Sequence, residues 1–197
     1  MAEVKKRIVV GATGASGLPL LYDCLKIIKE TKNWESILIM SDSAKLTLKH
    51  EMNLLPEEIY NLADLVFEPD EIGSKPASGS FHTEGMLIVP CSMKTLAGIH
   101  SGYADNLLLR TADVTLKEQR PLVLAVRETP LSAIHLRNMQ ELSMIPGVHI
   151  IPPMLTYYIQ PKSIEEMTYH IAAKLLEPFG IEAPAYQRWE GLPSERI

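Results

Sequence analysis

The feature that most restricts this sequence is a set of short, almost wholly apolar runs, at residues 7–10 (RIVV), 36–40 (SILIM), 86–90 (MLIVP), 122–126 (LVLAV) and 148–151 (VHII). None alternates apolar with polar residues, so none reads as a strand with one wet face. Strands that are apolar on both faces must be covered on both, which is the condition of a parallel sheet buried between layers of helices. The intervening segments supply those layers. Apolar residues recur at helical spacing from about Leu18 to Lys29, from Ser43 to about His50, across 93–100, from about 104 to 119, from about Leu131 to Met144, and from Ser163 to about Glu177. Ser163 and Glu166 read as a capping box. The stretch 64–81, with Gly73, Pro76, Gly79 and three serines, reads as a surface loop holding a short strand at 65–67. The expected fold is a single-domain α/β structure, a doubly wound, mostly parallel sheet with helices on both faces.

Such a three-layer sheet, flavodoxin- or Rossmann-like in kind, needs one domain's worth of chain. The 197 residues suffice, with the domain expected over 1–180 and a short Pro- and Gly-containing tail over 181–197 that includes Trp189. Hydrophobic residues make up 46% and charged residues 22%, which excludes disorder as a description of the whole chain. A net charge of −5 with no long basic run disfavours a nucleic-acid partner. The first apolar run is too short for a signal segment or a membrane span. Cys24 and Cys91 lie far apart in no CxxC pattern, which points to a reducing compartment, the cytoplasm by default. The six histidines form no HxxxH or HExxH pattern and no Cys/His cluster, so no metal is expected. No G-x-S-x-G signature occurs. His135 lies inside a predicted helix with no partner that sequence can name.

In sheets of this kind a ligand sits at the carboxyl ends of the strands, and most chemistry-bearing residues fall there. Gly11-Ala-Thr-Gly14-Ala15-Ser16-Gly17 follows the first strand and precedes a helix, where glycines let backbone N–H groups approach an anion. The spacing is not the strict dinucleotide fingerprint. Ser41-Asp42 ends the second strand, and Asp42 is placed to hold a ribose, which leaves a dinucleotide open. A plain strand–helix turn with Ser16 as helix cap is the lesser alternative for this loop. Pro90-Cys91-Ser92-Met93-Lys94-Thr95 sets hydroxyls and an ammonium at another helix start, a good place for a phosphate. Cys91 reads as a buried hydrophobe rather than a nucleophile. Arg127-Glu128, ending a central strand, reads as a buried charged pair, and buried charges are costly unless they pair or bind something. Arg110 and Lys117, seven apart, share one helix face, which taken alone reads as a solvated one. Tyr157 and Tyr158 leave the fifth strand, where they either line a pocket or cover the sheet edge, and Lys174 lies on the last helix. These residues suggest a phosphorylated ligand and do not identify a reaction.

The segments GATGASG, PCSMKTLAGI, TADVTLKEQRPLVLAVRETPL and IIPPMLTYY together resemble the UbiX family of flavin prenyltransferases over nearly the whole chain. The resemblance extends to proteins named as subunits of phenolic acid decarboxylases. It implies an FMN-binding domain. Gly14, Ala15, Ser16, Ser41, Ser92, Met93, Lys94, Thr95 and Arg127 would meet FMN. Tyr158 and Lys174 would hold dimethylallyl phosphate, with Arg110, Lys117 and Arg127 gathered around the same phosphate. Glu128 would be the acid/base, assisted by Ser16, and Glu51 a further carboxylate. Some relatives carry Arg where this chain has Lys174, which keeps the charge and loses the bidentate fork. The resemblance also implies a homo-oligomer, a dodecamer, with sites at subunit interfaces, and a UbiD-like decarboxylase as recipient of the prenylated flavin. Flavin-dependent cysteine decarboxylases of similar fold carry a P-x-M-N-type motif where this chain reads PPMLTYY, which disfavours that branch. Two alternatives stay open: an FMN-dependent aromatic acid decarboxylase, and a non-catalytic FMN-binding subunit.

Overall fold

A computed structural model of the protein describes residues 5–191. Six strands form one sheet: β1 (Lys6–Ala12), β2 (Trp34–Met40), β3 (Leu65–Phe67), β4 (Met86–Cys91), β5 (Leu122–Val126) and β6 (Val148–Ile150). Their order is β3-β2-β1-β4-β5-β6 and every neighbouring pair is parallel. The helices are α1 (Leu18–Glu30), α2 (Asp42–Met52), α3 (Pro56–Tyr60), α4 (Met93–His100), α5 (Leu107–Lys117), α6 (Ala133–Ser143) and α7 (Ile164–Leu176). This is the doubly wound order, in which the direction of winding reverses between β1 and β4.

The apolar runs do what their lack of alternation requires. Successive strand residues point to opposite faces, so each strand feeds two cores. Ile8, Val10 and Ala12 of β1 pack with Leu21, Cys24 and Leu25 of α1 and with Ala172 and Leu176 of α7. Val9 of the same strand joins Ile88 and Leu124 against Leu96 of α4, Leu108 and Ala112 of α5, and Leu142 of α6. In β4 the register with β5 shifts between Ile88 and Cys91. Pro90 lies in that interval and has no N–H to give to a ladder.

Three local expectations change. Helix α3 was not anticipated: it is one short turn begun by Pro56, buries Ile59, and is too brief to show a period. Ser163 does cap α7 by accepting from Glu166 N–H at 3.2 Å, but the Glu166 carboxylate accepts from Lys162 N–H at 2.7 Å, not from Ser163. The turn through Gln160, at φ 49, brings the chain over the first helical turn one residue early. The stretch 64–81 contains β3 and also a single 3-10 turn, Lys75–Ala77. Residues 181–186 run on over the α1–α7 core, where Ile181 and Ala183 are buried; residues 192–197 of the expected tail lie outside the described residues. Among the described residues no helix is long and apolar enough to cross a membrane.

Candidate active site

Where the winding reverses, the ends of β1 and β4 are tied together through buried Thr13, whose N–H donates to the Pro90 carbonyl at 3.1 Å. Thr13 Oγ1 donates to the Pro90 carbonyl at 2.9 Å and accepts from Ser92 N–H at 2.8 Å. Three helices begin around this knot, each capped by its own side chain. Ser41 Oγ accepts from Ala44 N–H at the start of α2 and lies 3.1 Å from Ser43 Oγ. Ser92 Oγ accepts from Thr95 N–H at the start of α4 and lies 3.1 Å from Thr95 Oγ1. Asn106 Oδ1 accepts from Leu109 N–H at the start of α5. Thr13, Ser41, Ser43, Lys94, Thr95 and Asn106 line the cleft between them. Lys94 is exposed and its ammonium has no partner among the described residues. Three positive helix ends, several hydroxyls and an ammonium suit an anion such as a phosphate. The close fit is enforced at Gly14, where a Cβ would stand 2.5 Å from Ser43 Cβ.

The start of α1 is built differently. Gly17, at φ 126, occupies the cap position without a side-chain hydrogen bond. The Glu51 carboxylate, from the end of α2, accepts from Gly17 N–H at 3.0 Å and from Leu18 N–H at 2.9 Å. Ser16 is therefore not the cap, and its side chain is exposed. Glu51 thus fills the positive end of α1.

Arg127 and Glu128 follow β5 on the rim of the cleft. The Arg127 N–H donates to the Cys91 carbonyl at 3.1 Å, which keeps the segment beside β4. The expectation of a buried pair is corrected: both residues are exposed, because β5 ends at Val126 and the chain leaves the sheet where no other part of the described chain covers it. Glu128 Oε1 accepts only from the next N–H, that of Thr129, at 2.9 Å. Cys91 is fully buried, and burial pushes its thiol up to about 12, consistent with a hydrophobe rather than a nucleophile.

The remaining cations lie apart. Arg110 binds Asp113 at 2.5 Å and the Ala77 carbonyl at 3.3 Å. Lys117 sits two turns further along α5, roughly 10 Å along the axis. It pairs there with Glu118, a hydrogen bond that holds the Glu118 carboxyl below its usual range. This is the amino-terminal side of the sheet, where Arg120 of the turn before β5 binds the Gly79 and Phe81 carbonyls. Lys174 is bound by Glu177 at 2.5 Å, which raises its pKa, and borders a cavity of about 280 Å³ with Pro152, Thr156 and Tyr186. Tyr158 is 74% exposed, its ring 5.2 Å from that of Trp189. One chain thus assembles the hydroxyl cleft, with Arg127 and Glu128 at its rim, and does not bring Lys117, Tyr158 or Lys174 to it. Thr13, Ser43 and Asn106 were not picked out from the sequence. Thr13 lies inside the glycine loop and Asn106 directly before an apolar helix, so both carried a readable signal; Ser43 carried none. Among the described residues no three His, Cys, Asp or Glu side chains group to hold a metal.

Comparison with known proteins decides what this arrangement belongs to. The flavoprotein family model matches residues 1–175. A probable UbiX-like flavin prenyltransferase of Sedimentibacter hydroxybenzoicus is 48% identical over 185 residues, 94% of this chain and 97% of the relative. The chain belongs to the UbiX-like flavin prenyltransferase family. Two solved structures extend the likeness to the coordinates. The crystal structure of AnUbiX in complex with FMN and dimethylallyl pyrophosphate is 44% identical, with a TM-score of 0.93 over 96% of this chain and 100% of that one. A dodecameric FMN-dependent UbiX-like decarboxylase from Escherichia coli O157:H7 is 46% identical, with a TM-score of 0.92 over 94% and 100%. The order of strands and the single domain are thus those of UbiX-like proteins.

Proposed function

We propose that this chain is a metal-independent flavin prenyltransferase. It joins the dimethylallyl group of dimethylallyl phosphate to N5 and C6 of reduced FMN and supplies prenylated FMN to a UbiD-like aromatic acid decarboxylase. One observation carries the reading: a protein 44% identical, matching this chain over 96% of its length, is seen with FMN and dimethylallyl pyrophosphate together. The residues lining the cleft support FMN as the ligand, because three capped helix starts, the Ser43 hydroxyl and the Lys94 ammonium suit a phosphate. In this reading FMN meets Gly14, Ala15, Ser16, Ser41, Ser92, Met93, Lys94, Thr95 and Arg127.

Bound reduced FMN supplies an electron-rich ring that accepts the allyl carbons. The chain's own residues handle the phosphate and the protons. As the allyl carbon–oxygen bond breaks, negative charge grows on the departing phosphate, and Arg110, Lys117, Arg127 and Lys174 meet it without a metal. Tyr158 orients the phosphate by its hydroxyl. Glu128 carries a proton between phosphate and the C6 position, with Ser16 in the relay. Glu51 acts from behind, through the first turn of α1 that it caps. Because Lys117, Tyr158 and Lys174 lie apart from the cleft within one chain, the complete set forms where copies adjoin; the dodecameric relative supports a dodecamer here. Two free, buried cysteines support a cytoplasmic setting.

Anaerobic incubation of the purified protein with reduced FMN and dimethylallyl phosphate, followed by mass spectrometry of the extracted flavin, tests this. A gain of one five-carbon prenyl unit without added metal is the expected result. Unmodified FMN with both the monophosphate and the diphosphate donor overturns it. The relative described as a decarboxylase favours a second reading, direct decarboxylation of an aromatic acid, which requires carbon dioxide release by this chain alone.

A further inference from the structure

The segment that carries Glu128 is fastened at its far end by an unusual cap. Helix α6 begins after Ser132, whose Oγ accepts from His135 N–H at 3.2 Å, while His135 Nδ1 accepts from Ser132 N–H at 3.2 Å. Glu or Gln ordinarily supplies the returning acceptor in such a box. An imidazole accepts only through an unprotonated nitrogen, so this cap demands a neutral ring with its proton on Nε2. At the near end Arg127 is pinned to Cys91. Between those two points Glu128 is tied only to its own neighbour Thr129.

Within one chain, packing does little to replace the cap. In α6 only Asn138 and Leu142 are buried, while Leu131, Ile134 and Leu136 are 40%, 61% and 51% exposed. Protonation of the ring removes the acceptor and sets a cation at the positive end of the helix, and both changes loosen the first turn. The charged groups near α6 do not offset this. Helix α4 offers Lys94 and His100, and His100 is bound to Glu141 of α6 at 2.6 Å. Strand β6 offers His149, which is exposed. Arg137 of α6 is bound to Asn138, and Arg127 and Glu128 precede the helix. None of these makes a hydrogen bond or ion pair with the His135 ring among the described residues.

We propose, building on the prenyltransferase reading, that His135 is a positioning residue whose neutral imidazole fixes the Arg127–Glu128 segment and releases it on acidification. The test uses the flavin-loaded oligomer. Prenylation rates are followed over a pH series for the wild type, His135→Gln and His135→Ala, alongside amide-exchange protection factors for residues 127–136. His135→Ala is expected to lower protection near neutral pH by about fivefold, the loss typical of one cap, to lower kcat/KM with it, and to converge on the wild type at acid pH. His135→Gln, which keeps an acceptor and does not titrate, is expected to restore both and to flatten the wild type's fall in protection and rate on acidification. Wild-type rate and protection in His135→Ala near neutral pH, or an unchanged acid fall in His135→Gln, overturns the proposal. A wild type that makes no prenylated flavin defeats the reaction reading instead, and the protection factors then decide the cap alone.

Discussion

Thr13 contributes one hydroxyl that serves two partners across the winding reversal. Thr13→Val keeps the shape and strands the Ser92 N–H, while the Pro90 carbonyl keeps its bond from the Thr13 N–H at 3.1 Å. An unsatisfied buried group costs about 1–3 kcal/mol, so the variant should unfold at lower denaturant and bind FMN more weakly, read by urea titration and by flavin fluorescence. An unchanged unfolding midpoint contradicts the role given to Thr13. Asp23, on the outer side of α1, borders a cavity of about 650 Å³ shared with Glu165, His170 and Lys26. Burial pushes its carboxyl up from 3.8 to about 6, Lys26 opposing and Glu165 adding to the shift. Between those values the folded protein binds more protons than the unfolded chain, so this group's contribution to stability falls as pH rises from about 4 through 6. Asp23→Asn should therefore stabilise the protein near neutral pH by about 1 kcal/mol, discounted for the site's partial exposure, with the gain vanishing below about pH 4. Denaturant melts across that range check both sign and window. A gain that grows toward acid would reverse the assignment.

The start of α1 shows how an element can be completed from a distant part of the chain. Its cap comes from Glu51, at the end of the next helix, so the loop from Gly14 to Gly17 is held without using Ser16. Glu51→Ala should cost about 1–2 kcal/mol, the worth of a charged helix cap, whereas Glu51→Gln keeps one acceptor and should lose less. Thermal melts of both variants separate this structural share from any role in transfer: a Glu51→Gln protein with wild-type stability and no turnover places the residue's main work in the reaction. Most elements were legible because their period is local. Strand 122–126 and helix 93–100 stand where the apolar patterns set them. Helix α3 and the cap of α1 were not legible. The first is shorter than the pattern that reveals a helix, and the second depends on a carboxylate 34 residues away.

At the scale of the whole molecule the cations decide the question. Helix α5 starts at the cleft and carries Lys117 to the other side of the sheet, while Glu128 stays on the rim. If both serve one site, they come from different copies. Oligomers co-assembled from equal amounts of Lys117→Ala and Glu128→Gln chains should then recover about a quarter of wild-type activity, although each variant alone is inactive, because a quarter of the shared sites draw both intact residues. No recovery would put both residues in one chain's site.

The sequence by itself determined the sheet and its parallel winding. Those follow from which short runs are apolar on both faces, and periodicity is written residue by residue. The motifs also carried the family. The tertiary structure alone decided that Glu51 and not Ser16 closes α1, that Thr13 joins two strand ends, and that Arg127 and Glu128 stand exposed at the rim. These depend on which distant groups meet once the strands are ordered, and on where each strand stops relative to its neighbours. Neither is encoded in spacing along the chain.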